Sequence, residues 1–243
     1  MHDAYGIGAA LMSRWPDLPE AERSDIIKSL ENMVPVCDGL PDWWRSRRNV
    51  VLAHPSVALP TIQDHPGIEP PEGAIIILGE NVVINSSIII WGSKPLIYIG
   101  SHSHIGSGGS LNCGGESSII IHGRLNAGWA PNLNARNGGR IYIGQNALWS
   151  SQIVIYTDDM HAILDAQTRR RINPFGGQVF VDDHVWLGLQ VLLLPGTCIG
   201  KDAVVGARST VNCAIPAGSI CVGSPARVVR SGITWSHEDI AGS

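Results

Sequence analysis

Aliphatic side chains recur every six residues along most of the chain. Leu187, Leu193, Ile199, Val205 and Val211 fall six apart, and glycine follows at positions 188, 200 and 206. Four residues after each comes a mostly small side chain: Val191, Thr197, Ala203, Ser209 or Ile215. The same register holds earlier in Leu78, Ile84 and Ile90, in Ile99, Ile105 and Leu111, and in Ile143, Trp149 and Ile155. Gly79, Gly100, Gly106 and Gly144 occupy the corresponding places, and Ile121, Ala127 and Leu133 follow the beat more weakly. A period of six fits neither an amphipathic α-helix nor a hairpin meander. It fits a short strand of period two closed by a tight corner. Three such sides make a triangular coil of about 18 residues, and such coils stack as a solenoid. The aliphatic residue then points into the prism. The glycine handles the corner, where a side chain would crowd or φ would be positive.

The two ends do not keep the beat. Residues 1–73 are expected to form an N-terminal extension, 74–230 the solenoid, and 231–243 a tail that is a short helix or a frayed end. In the extension, DLPEAERSDIIKSLENMV begins with Asp17 three residues before Glu20, a helix-start pattern. Ile26, Ile27, Leu30, Met33 and Val34 would give that helix one apolar face against the first coils or a neighbouring subunit. PDWWRSRRNV places Trp43 and Trp44 beside Arg45, Arg47 and Arg48, which reads as a packed aromatic pair under a solvated basic edge rather than a sugar platform. Residues 53–73 read as a Pro-rich connection.

Composition narrows the function. Hydrophobic residues make up 44 % of the 243 and charged residues only 16 %, as expected where backbone groups pair between stacked layers. A formal charge of −4 argues against nucleic acid as a partner. No apolar run approaches the roughly 18 residues of a membrane span, and MHDAYGIGAALMSRW lacks the basic start and clean apolar stretch of a secretory signal. Cys37, Cys113, Cys198, Cys213 and Cys221 are scattered without metal-ligand spacing, so they read as small buried thiols in a reducing compartment, the cytoplasm.

The beat breaks once, between Ile155 and Val181, where the chain reads YTDDMHAILDAQTRRRINPFGGQVF. A loop expelled from a rigid scaffold is well placed for function. It carries one histidine, His161, with Asp158 and Asp159 close enough in sequence to orient its ring. Histidine titrates near neutral pH, at about 6.5 when unperturbed. Its neutral form suits a base that deprotonates a hydroxyl for attack on a thioester. Arg169, Arg170 and Arg171 read as a solvated loop face. NLNARNGGR at 132–140 is a weak candidate for an acceptor surface.

The repeats LGLQVL, LLPGTC, IGKDAV, VGARST and VNCAIP resemble those of the hexapeptide-repeat acyltransferases. The resemblance covers residues 74–230 most clearly from 143 onward, and it implies a mainly β fold, a left-handed parallel β-helix. TDDMHAILD followed by RINPFGGQVFVDDHVWLG is similar to a stretch of bacterial polysaccharide and sialic-acid O-acetyltransferases. That similarity implies His161 as catalytic base, with Asp159 or Asp158 orienting it, and Trp186 as a residue that helps hold the thioester or the developing oxyanion. It further implies acetyl-coenzyme A (acetyl-CoA) as donor, held along the solenoid edge between subunits of a homotrimer. Its pantetheine arm would meet Leu189, Ala207 and Asn212, and its phosphates Arg227 and Arg230. Lys201 and Arg208 are weaker phosphate candidates. The acceptor would be a sugar hydroxyl of a polysaccharide or its precursor, and no metal is expected. Transfer to the amine of an amino sugar or antibiotic is the main alternative. A γ-carbonic-anhydrase-like metal site is disfavoured because His102 and His104 are two residues apart, where that family uses a pair about five apart, with His122 further off. A non-catalytic glycan-binding solenoid would have no need of the 156–178 loop.

Overall fold

The structure, a computed structural model, describes residues 6–16 and 18–241. Three sheets form the sides of a prism, and the chain visits them in a fixed order. Face 1 has nine strands, from Val34–Pro35 and Val50–Ala53 to Ala214–Ile215; face 2 has eight, from Val83–Ile84 to Arg227–Ser231; face 3 has seven, from Ile62–Asp64 to Thr210–Val211. Within each face the coils stack in parallel register. Ile99, Ile121, Ile143 and Val181 align on face 1. Ile105, Ala127, Trp149, Leu187 and Val205 align on face 2. Leu111, Leu133, Ile155, Leu193 and Val211 align on face 3. These are the residues of the six-residue beat, and all are buried inside the prism. Each buried aliphatic stabilises the stack by about 1.5–3 kcal/mol relative to exposure.

The coil length differs from the expected 18 in the middle of the chain. Leu187 to Val205 spans 18 residues, but Ile99 to Ile121 and Ile121 to Ile143 each span 22. The extra residues all fall at the edge between faces 3 and 1, where Leu111 to Ile121 takes ten residues and Leu193 to Ile199 takes six. Longer strands there account for the difference: Ser110–Cys113 and Ser118–Gly123 on the middle coils, against two-residue strands later.

The beat glycines are not at positive φ; they serve another purpose. A Cβ on Gly100 would lie 1.8 Å from the His122 carbonyl oxygen, and one on Gly106 would lie 2.2 Å from that of Gly128. They are there because the next coil's backbone passes too close for any side chain. The left-handed corner residues are mostly not glycine: Asn81, His102, Arg124, Asn146, His184 and Asp202 line the edge between faces 1 and 2 with φ between 52° and 61°.

The solenoid begins earlier than residue 74. Val50–Ala53 pairs in parallel with Ile75–Leu78, and Ile62–Asp64 with Ser87–Ile90, so the Pro-rich connection contains the third side of the first coil. Trp44, in a short helix Asp42–Arg45, is 2 % exposed and plugs that end of the core, with Trp43 tilted against it at 5.6 Å.

Two helices, α1 (Ile7–Arg14) and α2 (Glu20–Ser29), lie on the outside of face 1. The expected start at Asp17 lies outside the described residues, and α2 starts at Glu20 after Pro19. Ile7, Leu11, Trp15, Leu18, Ile26, Leu30 and Met33 pack on Leu52, Ile77, Leu96, Tyr98, Ile120 and Tyr142. Ile27 and Val34 do not share the expected face; both are exposed, and Val34 belongs to a strand. A polar chain ties α2 down. The Tyr142 hydroxyl donates to the Glu22 carboxylate, and its oxygen lies 3.3 Å from His122 Nδ1. Burial lowers the His122 pKa, against the pull of Glu22, Asp183 and Asp25, and raises that of Tyr142.

The tail is neither helical nor frayed where described. Arg227–Ser231 turns back antiparallel on Ser219–Val222, and the following residues strap across the edge between faces 1 and 2. No helix among the described residues is long and apolar enough to cross a membrane.

Candidate active site

The break in the beat is a loop that leaves face 3 after Val154–Tyr156 and re-enters face 1 at Gln178–Val181. It therefore grows from the edge between faces 3 and 1, the edge already enlarged in the coils beneath. Asp158 anchors it. This side chain is buried, the residue being 2 % exposed. Its Oδ1 accepts from the Met160 N–H at 2.6 Å; its Oδ2 accepts from the Gly176 N–H at 2.9 Å and from Asn137 Nδ2 at 3.1 Å. Arg171 stands 3.7 Å away. Burial alone would raise the Asp158 carboxyl, but these donors and Arg171 outweigh it and hold its pKa below the ordinary 3.8. The bond to Met160 closes an Asx-turn, which places Met160 at φ 63° and turns the chain into His161.

Asn173 is a second clasp. Its Nδ2 donates to Asp159 Oδ2 at 2.8 Å and to the His161 carbonyl at 2.9 Å, and its Oδ1 accepts from the Ile163 N–H at 2.8 Å. The His161 N–H donates to the Asp159 carbonyl at 2.7 Å. The main chain of His161 is thus held on both sides. Its ring, exposed, makes no hydrogen bond among the described residues. Neither aspartate orients that ring: Asp158 holds the two ends of the loop together, and Asp159 is taken by Asn173. Arg171 also departs from the solvated run, since its guanidinium donates to the Asn173 and Pro174 carbonyls and lies 5.1 Å over the Phe175 ring.

Asn173, Asn137 and Gly176 carry the loop geometry and were not singled out from sequence. For Asn173 and Gly176 the signal lies in NPFGG, where Asn-Pro and Gly-Gly mark turns, whereas Asn137 lies within the NLNARNGGR stretch. Gly176 has φ 72°, and a Cβ there would lie 2.0 Å from the Asn137 carbonyl oxygen. The loop packs against the coil beneath, and only glycine fits the contact.

Trp186 lies elsewhere, on the outer side of face 2, between Leu148 and Val204 on neighbouring rungs, and is 40 % exposed. Leu189 and Ala207 stack one rung apart on the edge between faces 2 and 3, where the Arg208 N–H donates to the Leu189 carbonyl at 2.7 Å. Neither Leu189 nor Ala207 donates its own N–H to the main chain among the described residues, and the two stand about 4.8 Å apart by the spacing of strands. Arg227 pairs with Val222 just beyond the end of the same edge. Arg230, opposite Ile220, lies further across face 2, and both arginines are exposed. Asn212 sits apart, on the edge between faces 3 and 1 after Thr210–Val211. Arg208 is drawn into a ladder along the first edge, its Nε donating to Gln190 at 3.0 Å and Gln190 to Gln152 at 2.8 Å. The structure therefore gathers Trp186, Leu189, Ala207 and Arg227 on face 2 and its edge. It puts His161 on the edge that face 2 does not touch.

Among the described residues the histidine paired with a carboxylate is His184, with Nδ1 2.6 Å from Asp202 Oδ1. Its ring lies flat beneath Trp235 at 4.1 Å and is half-buried. His102 and His122 line one cleft with Asp25 and Glu80, but His104 faces outward on face 2, so the three do not gather. Among the described residues no three His, Cys, Asp or Glu side chains gather as a metal-ligand set.

No protein-family model matches the chain. A galactoside O-acetyltransferase of Lactococcus lactis is 32 % identical over 99 residues, 41 % of this chain and 47 % of that protein. A polysialic acid O-acetyltransferase of Escherichia coli O1:K1 is 25 % identical over 146 residues, 59 % of this chain and 46 % of that one. The chain spans about half the length of the curated relatives it matches. The crystal structure of the polySia-specific acetyltransferase NeuO superposes with a TM-score of 0.62 at 21 % identity, covering 74 % of this chain and 85 % of NeuO. The chain thus has the left-handed β-helix of the hexapeptide-repeat acyltransferases and is related to O-acetyltransferases in sequence.

Proposed function

We propose that the protein moves an acetyl group from acetyl-CoA to a hydroxyl of a sugar, on a polysaccharide or its precursor. The observation that carries this reading is the loop: two clasps fix the main chain around His161 and leave its imidazole bare. That is the arrangement a general base needs. The imidazole takes the proton of the acceptor hydroxyl, the oxygen attacks the thioester carbonyl, and the carbon–sulfur bond breaks. The imidazolium returns the proton to the departing thiolate. The relatives named as galactoside and polysialic acid O-acetyltransferases support a sugar hydroxyl as acceptor.

The donor fits the ledge on face 2. The N–H groups of Leu189 and Ala207 suit the amide carbonyls of a thin pantetheine arm, the close-packed edge lets such an arm approach the main chain, and exposed Arg227 and Arg230 suit phosphates. Asn212 falls outside this ledge.

His161 and this ledge stand at the two different edges that border face 3, and in the reading proposed here the site that contains both is made by two copies. With face 1 covered by α1 and α2, the loop edge of one copy facing face 2 of the next, repeated to closure, would make a ring, which we read as the homotrimer that the family resemblance implies. The exposed Met160, Ile163, Ile172 and Phe175 of the loop would be covered in that contact.

The test is complementation. His161→Ala and Trp186→Ala should each lose acetyl transfer by about 100-fold or more. Mixed at equal amounts after dissociation and reassembly, they should regain about a quarter of wild-type activity, since one interface in four then carries both intact residues. Unchanged turnover in His161→Ala removes the base, and no recovery on mixing removes the shared site.

A further inference from the structure

The C-terminal strap makes a set of contacts that the loop and the ledge leave unused. Ile233 donates its N–H to the Gly218 carbonyl at 2.9 Å. The Trp235 indole N–H donates to the His184 carbonyl at 2.7 Å, and its ring lies parallel to the His184 imidazole at 4.1 Å and 10°. His184 is held in turn by Asp202, which also accepts from the Thr234 hydroxyl at 3.4 Å. His237 meets the other ring edge-on, 4.7 Å from Trp235. His184 and Asp202 are 18 residues apart, one coil, and occupy successive left-handed corners with φ 55° and 61°. The strap is therefore fastened to the rigid edge of the prism at several points.

What it reaches is Trp186. The two indoles are 6.0 Å apart and inclined at 48°, a range in which aromatic rings attract. Trp186 stands on the outer side of a flat sheet, flanked by the aliphatic Leu148 and Val204. Trp235 meets it from the side of the edge between faces 1 and 2, and Leu189, on the other side, is exposed.

We propose that Trp235 is a positioning residue for the donor ledge: the strap, pinned through His184 and Asp202, restricts the Trp186 indole to the orientation in which it lines the acetyl-CoA arm. This rests on the donor site proposed above. Ordering a ring before the ligand arrives removes a cost that binding would otherwise carry.

The experiment measures coenzyme A binding by calorimetry together with the steady-state parameters for acetyl-CoA. Trp235→Ala should weaken coenzyme A binding and raise KM for the donor about tenfold, with kcat changed less than about threefold. Trp235→Phe, which keeps a ring at the contact, should restore most of the affinity. In a Trp186→Ala background Trp235→Ala should add nothing further, because the ring it positions is gone; a merely structural strap would give additive losses in the double variant. Coenzyme A binding that is normal in Trp235→Ala overturns the proposal while leaving the donor site intact. Additive losses in the double variant overturn it too. A wild-type protein that does not bind coenzyme A removes the donor site and this proposal with it.

Discussion

Asp158→Ala tests whether the loop is ordered from within. The carboxylate accepts three hydrogen bonds, from Met160, Gly176 and Asn137, and a hydrogen bond to a charged group contributes about 1.5–3 kcal/mol. Summed without relaxation, that is roughly 5–9 kcal/mol. The whole protein will not lose this much. Met160 and Gly176 lie in a loop that can open and give their N–H groups to water, so the global loss is capped at the free energy of opening the loop, on the order of 1–2 kcal/mol. For a chain of this size that lowers the melting midpoint by about 2–8 °C. Locally the effect is large: peptides covering 158–176 should lose their protection against hydrogen exchange while the coil peptides keep theirs. With the histidine no longer held, kcat/KM should fall about 100-fold or more. Asp158→Asn should behave like the alanine variant, since an amide offers one acceptor oxygen where two are used and turns its NH2 toward donors. Loop protection that survives in either variant would refute the reasoning. So would loss of loop protection in His161→Ala, whose ring makes no contact of this kind.

Gly100→Ala should be poorly tolerated, because its Cβ would fall 1.8 Å from a backbone oxygen that cannot retreat without moving a whole coil; a loss of about 3 kcal/mol or more, or roughly 6–12 °C by scanning calorimetry, is expected. Tyr142→Phe leaves Glu22 and His122 without their shared hydroxyl and should cost about 1–3 kcal/mol, read as earlier exchange in α2. Burial depresses the His122 pKa below 6.5, so an unfolded chain takes up a proton the folded one excludes. Stability from this residue is complete above 6.5 and declines as pH falls below it, and the slope of melting midpoint against pH between about 6.5 and 5 should flatten in His122→Gln. A thiol reagent at neutral pH should label Cys37 and leave Cys113, which is buried and pushed up to about 12, untouched in the native protein; mass spectrometry of the labelled peptides decides it.

The prism was legible because its rule is strict. One inward aliphatic per side, repeated at six, survives the exchange of Ile for Leu, Val or Trp149 and reads through the whole chain. Where an outer layer covers a face the rule changes, and that was harder to see. Leu96, Ile97, Tyr98 and Ile99 are all buried, and such continuous apolar runs are the mark of strands covered on both sides. α1 is the layer that answers them, but IGAALMSR carries neither a side-chain N-cap nor an acidic first turn, so nothing local announced it. The first coil was hidden for a related reason: Val50–Ala53 and Ile62–Asp64 are separated by prolines and lack a face 2 strand between them, so the beat has no third term there.

The loop shows the opposite balance. His161 was conspicuous because it interrupts a regular pattern, yet the residues that fix it were not, because they act through the main chain. Proximity in sequence suggested that Asp158 and Asp159 serve the imidazole. In the folded loop an aspartate two residues before an N–H closes an Asx-turn more readily than it reaches a ring three residues on, and Asn173 arrives from fourteen residues away to take what Asp159 offers. A carboxylate bound to main-chain donors sets where a histidine stands; one bound to the ring sets its basicity. This loop uses its carboxylates in the first way. If His161 is the base, its ring nitrogen must find its partner outside its own loop, in the acceptor or in a neighbouring copy. A single-copy variant engineered to stay monomeric should then keep the loop ordered by hydrogen exchange and still show no acetyl transfer, whereas transfer by a monomer would mean that one prism holds the whole site.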